Sequence, residues 1–67
     1  MNVAPIAGMG ETFAVAQLDR DGRIVRTLSA FFESRRDAER VFRWKRRGRH
    51  DVAVVQFFTA ARVLEIG

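Results

Sequence analysis

Positions alternate along Glu11 to Leu18 in a way that predicts a strand, with Phe13 and Val15 on one side and Ala14, Ala16 and Leu18 on the other. Asp19-Arg20-Asp21-Gly22 follows as a hairpin loop, Gly22 being the residue type that accepts the positive φ ending a type I turn with a bulge. The second strand is expected from Arg23 to about Phe31, with Ile24, Arg26 and Leu28 on one side and Val25, Thr27 and Ser29 on the other. Ser34, with Asp37 three residues on, marks a helix start, and the Ser34 hydroxyl is the expected acceptor for a free N–H of the first turn. The helix should run to about Arg47 and stop at Gly48. Asp51 to Phe58 reads as a third strand, apolar on both sides, and Arg62 to Ile66 as a short fourth after a turn near Thr59 to Ala61. Residues Met1 to Gly10 hold Pro5, Gly8 and Gly10 with no sustained period. They read as a flexible leader whose Val3, Ile6 and Met9 can dock on the sheet or on a partner.

These elements predict an α+β fold: one ββαβ(β) domain over residues 11–67, with a mainly antiparallel sheet of three or four strands. A right-handed crossover through the helix places the third strand beside the first, giving the order 2-1-3 with an optional fourth outside the third. One amphipathic helix covers one face, through Ala38, Val41, Phe42 and the stem of Lys45. The bulkier side, with Phe13, Val15, Ile24 and Leu28, is the expected partner of that stripe. Ala14, Ala16, Leu18, Val25 and Thr27 are left on a second face that one helix cannot cover. A leader, a second copy or another protein would have to cover it, and exposed apolar faces of that size mark contacts.

Size and composition narrow the picture. Sixty-seven residues, 48% of them hydrophobic and with six Phe and one Trp, suffice for one modest core. There is no cysteine, so neither a disulfide nor a thiolate metal site supplements it. No apolar run approaches the roughly 18 residues that span a bilayer, and the first residues lack a signal-peptide pattern. A cytoplasmic protein with no membrane partner is therefore expected.

Charge changes the picture more. The net charge is +4, yet residues 35 to 49 carry eight cations against Asp37 and Glu39, so this segment is +6 and the remainder −2. At 100° per residue, Arg35, Arg46, Arg43, Arg36, Arg47 and Arg40 fall on one arc of about 140° opposite the apolar stripe. Trp44 borders that arc and is expected to be half-buried. Cations around an aromatic plate suit a nucleic acid or nucleoprotein, with guanidinium groups on phosphates and the indole against a base or sugar. They also suit an acidic protein surface, or a merely solvated face in which Glu39 pairs with Arg35 and Arg43 and Trp44 caps the core edge. Arg35 and Arg36 lie in the first turn, where the helix dipole disfavours cations and where free N–H groups bind anions.

Other chemistry is weakly represented. Asp19-Arg20-Asp21-Gly22-Arg23-Ile24 imitates the middle of a calcium-binding EF-hand loop, but Gln17 and Leu28 stand where the flanking acidic ligands belong. His50 is the only histidine and has no cysteine to share a zinc site with. Ser29, Ser34 and Thr59 have no paired base at any indicative spacing. The expectations are no enzymatic activity, no metal and no cofactor.

In size, lack of cysteine and compact β-β-α-β layout, the chain is similar to small accessory proteins of bacteriophages and mobile elements, including inhibitors of the anti-CRISPR kind. That resemblance covers the architecture alone and implies action by occupying a partner's surface. Two functional expectations result. The first is a binding module for nucleic acid or nucleoprotein, or for an acidic partner, through Arg35, Arg36, Arg40, Arg43, Trp44, Arg46 and Arg47. The second is an inhibitor or accessory protein that uses Ala14, Ala16, Leu18, Val25 and Thr27, possible also as a homodimer surface.

Overall fold

A computed structural model describes residues 11–58 and 60–67. The expectation of a leader over residues 1–10, and the part of the turn at Thr59, lie outside the described residues. Strands β1 (Thr12–Leu18), β2 (Ile24–Thr27), β3 (Val52–Phe57) and β4 (Ala61–Ile66) form one sheet, and helix α1 (Arg35–Lys45) joins β2 to β3. The sheet order is β2-β1-β3-β4 with every neighbouring pair antiparallel, as the crossover argument requires.

Local chemistry builds the hairpin. One carboxylate oxygen of Asp19 accepts the N–H groups of Asp21 and Arg23, both at 2.9 Å, and Gly22 takes φ 83°. The Asp19 carboxylate is thus committed to the turn as an acceptor. The ladder then slips: Gln17 faces Arg26 while Leu18 faces Ile24, leaving Val25 without an opposite residue. This bulge corrects the expected placement of Ile24. It packs with Ala14, Ala16 and Leu18 rather than on the helix side, because the extra residue reverses the alternation beyond it.

Strand β2 also ends earlier than expected, at Thr27 rather than near Phe31. The Val15 N–H donates to the Ser29 hydroxyl at 2.8 Å in place of a backbone carbonyl, and Ser29 to Phe31 leave the ladder. Pairing resumes where Phe13 and Phe32 exchange backbone hydrogen bonds of 2.7 Å.

Helix α1 starts after Ser34, whose extended backbone suits an N-cap, but the Ser34 hydroxyl makes no capping hydrogen bond, contrary to expectation. The helix also stops two residues short of Arg47. Arg46 is the C-cap, its N–H donating to the Phe42 carbonyl, and Gly48 holds φ 69° in the turn that follows.

Two apolar clusters flank the central strands. On the helix side, Ala38 and Phe42 pack with Val15, Val52 and Val54, and Phe13, Leu28, Phe32, Val41 and Leu64 border them. Burying a ring such as Phe42 contributes about 1.5–3 kcal/mol, so this small cluster carries much of the domain's stability. On the opposite side, Ala14, Ala16, Leu18, Ala53, Val55 and Phe57 form the second cluster. Among the described residues, no helix is long and apolar enough to cross a membrane.

Candidate functional site

Packing of Ala38 and Phe42 onto β1 and β3 fixes the rotation of α1 about its axis, and that rotation decides which arginines face water. Arg36, Arg40, Arg43, Arg46 and Arg47 are all exposed. Arg36 and Arg40, and likewise Arg43 and Arg47, are four residues apart, while Arg40 and Arg43 are three apart. Such neighbours stand about 5–6 Å apart at Cβ.

Partners divide the cations into two groups. Arg35 donates to Glu39 at 2.9 Å, a pair on the flank of the helix. Arg49 grips Asp51 with two hydrogen bonds, Nε to Oδ1 at 3.0 Å and Nη2 to Oδ2 at 3.1 Å, and Gln17 adds a third at 3.1 Å. The Asp51 carbonyl accepts the Leu18 N–H at 2.7 Å, so this group ties the chain leaving α1 to the end of β1. Hydrogen bonding from Arg49 holds the Asp51 carboxyl below its usual range, against the opposing effect of desolvation, and the same bond raises Arg49. Arg46 leans back over the Phe42 ring, its guanidinium carbon 5.6 Å from the ring centroid.

Arg36, Arg40, Arg43 and Arg47 behave differently. Among the described residues none of them makes a salt bridge or a side-chain hydrogen bond. The expected Glu39–Arg43 pair does not form; Glu39 is taken by Arg35 alone. Like charges at these spacings cost about 0.2–0.5 kcal/mol per pair at low salt, so folding gains nothing from the row.

Trp44 stands 70% exposed, a correction to the half-buried position expected for it. The buried part of the stripe is narrow, confined to Ala38 and Phe42, and does not reach around to the indole. A large ring left in water beside Arg40, Arg43 and Arg47, which have no partners among the described residues, is therefore a second feature that folding does not explain. At the C-terminal end of α1 the surface dips into a shallow hollow lined by Arg43, Arg46, Arg47 and His50.

The second set of expected residues is split. Ala14 and Ala16 are fully buried and Leu18 nearly so, whereas Thr27, opposite Ala16, and Val25 in the bulge are exposed. His50 is exposed in the loop before β3, and no cluster of three potential metal ligands occurs among the described residues. Sequence reasoning missed the engagement of Arg49 by Asp51; the acid two residues on was the available signal.

Comparison with protein families, with curated proteins and with solved structures finds no match for this chain.

Proposed function

We propose that this protein is a non-enzymatic binding module that holds nucleic acid, bare or within a nucleoprotein, against the outer face of α1. The observation that carries the reading is the row Arg36, Arg40, Arg43 and Arg47, exposed and without acidic partners among the described residues, beside the exposed ring of Trp44. Guanidinium groups donate to phosphate oxygens in planar, paired geometry, and an indole packs on a base or sugar. An acidic protein surface would satisfy the arginines but need not present a planar group beside each charge, as every nucleotide does. That difference favours nucleic acid.

The chain contains a single Trp, so its fluorescence reports on the site directly. Titration at about 50 mM salt with a mixed-sequence duplex, a single-stranded oligonucleotide and polyglutamate separates the cases. Quenching by either nucleic acid and not by polyglutamate is the expected result. Quenching by polyglutamate alone would move the site to an acidic protein partner, and no response to any of the three would remove the proposal.

A second reading is favoured by Val25, Val63 and Ile66 on the outer strands, exposed at 57%, 36% and 59%. These suit an accessory protein or homodimer that covers a protein surface, in line with the phage-type resemblance of the layout. Val25→Asp with Ile66→Asp would then break such a complex and leave the chain folded. Light scattering and thermal melting read the two effects separately.

A further inference from the structure

The outer face of α1 is divided lengthwise. At about 100° per residue, Arg36, Arg40 and Arg43 lie within an arc of about 60°, and Arg47 follows Arg43 by four residues just past the helix end. Trp44 is displaced about 40° beyond Arg40 and Asp37 about 60° in the same direction, the two lying about two turns apart along the axis. Both are exposed, and Asp37 makes no salt bridge among the described residues. Farther round, Val41 and Lys45 are half-buried, Val41 against the helix-side cluster. The face thus carries cations along one strip and an aromatic ring with a carboxylate along the next.

We propose, on the reading that this face holds nucleic acid, that its ligand is a single strand, with the backbone following the arginine row and an unpaired base stacked on Trp44. A single strand has the same lengthwise division, phosphates along one side and bases along the other. Its bases present open faces, and an aromatic side chain stacks on the face of any of the four, so the contact is indifferent to sequence. A duplex matches less well on two counts. Its base faces are closed inside the stack and only their edges reach the grooves, so a ring that packs on a face must first unstack the duplex. A helix laid in its major groove also meets the phosphates of both strands, one set along each flank, and Asp37 would meet one set as a like charge. With a single strand the Asp37 side receives bases, whose amino groups donate to a carboxylate.

Fluorescence anisotropy with end-labelled probes of about twelve nucleotides tests this on the full chain at about 100 mM salt. The probes are a mixed-sequence single strand as DNA and as RNA, the matching DNA duplex, and an abasic strand of the same length. At least one of the two single strands should bind about fivefold or more tighter than both the duplex and the abasic strand, and the tighter of the two identifies the sugar. Trp44→Ala should remove that advantage and leave duplex affinity unchanged, whereas Trp44→Phe should keep most of it. Asp37→Asn should strengthen duplex binding more than single-strand binding, and equal gains would contradict the placing of Asp37 on the base side. A duplex or an abasic strand held as tightly as the single strands, or an advantage that survives Trp44→Ala, would overturn the inference while leaving the nucleic-acid reading in place. Binding to none of the four probes would instead remove that reading, and this inference with it.

Discussion

The two sides of α1 were built under different constraints. Inward, Ala38 and Phe42 are buried against Val15, Val52 and Val54, and each replacement there has to meet the packing of its neighbours. Outward, Arg36, Arg40, Arg43, Arg47 and Trp44 are exposed and meet no neighbour among the described residues that would dictate their identity. Where the fold does use a cation, it gives it a partner of its own: Glu39 for Arg35, Asp51 for Arg49, the Phe42 ring for Arg46. The outer row has none of these among the described residues and repels itself. A residue set that is neutral or slightly costly for folding, yet concentrated on one surface, is best explained by something outside the chain.

Substitutions on the two sides should therefore part stability from binding. The largest effect is expected from Phe42→Ala, which empties the centre of the helix-side cluster and should cost about 3–5 kcal/mol, enough to unfold most of a domain this size; thermal melting checks it. Next, Arg40→Glu with Arg43→Glu should weaken nucleic-acid binding at least 100-fold while the melting temperature stays level or rises slightly, since like-charge neighbours are removed. A parallel loss of stability would show that the row belongs to the fold after all. Trp44→Ala should cost about 1–3 kcal/mol of binding to a single strand and leave the melt unchanged, as expected for a ring that is already in water.

The smallest effect concerns the paired cations. Because the Asp51 carboxyl is depressed in the folded chain, its contribution to stability is complete above the ordinary carboxylate value of 3.8 and is lost as pH falls from there toward the folded value. Asp51→Asn should lower the melting temperature slightly at neutral pH, where the carboxylate's contribution is complete, and flatten its dependence on pH in the acid range, the two chains converging as pH falls. Nucleic-acid affinity at neutral pH should not respond, because Arg49 is not part of the outer row.

Most of the architecture was legible because it is specified locally. The Asp19 to Gly22 turn fixes the hairpin, the alternation of β1 fixes its two faces, and chain handedness fixes the order β2-β1-β3-β4. What was not legible depended on choices between distant groups. Ser29 offers its hydroxyl to the Val15 N–H and cuts β2 short; nothing in the local pattern distinguishes that serine from one facing solvent. The bulge opposite Gln17 and Leu18 moved Ile24 to the other face, and period-two counting cannot anticipate an inserted residue. The arginine arc could be read from spacing alone. Which arginines are taken by acids could not, since Glu39 had two equally spaced candidates and chose Arg35.

Salt dependence of affinity is the most direct test of the central claim. Between about 50 and 200 mM salt, an interface in which four arginines each displace a phosphate counterion should lose roughly 100-fold or more in affinity on duplex DNA, and replacing Arg40 and Arg43 should shallow that slope by about two counterions. Affinity that ignores salt, or a slope unchanged by losing these two side chains, would contradict the account.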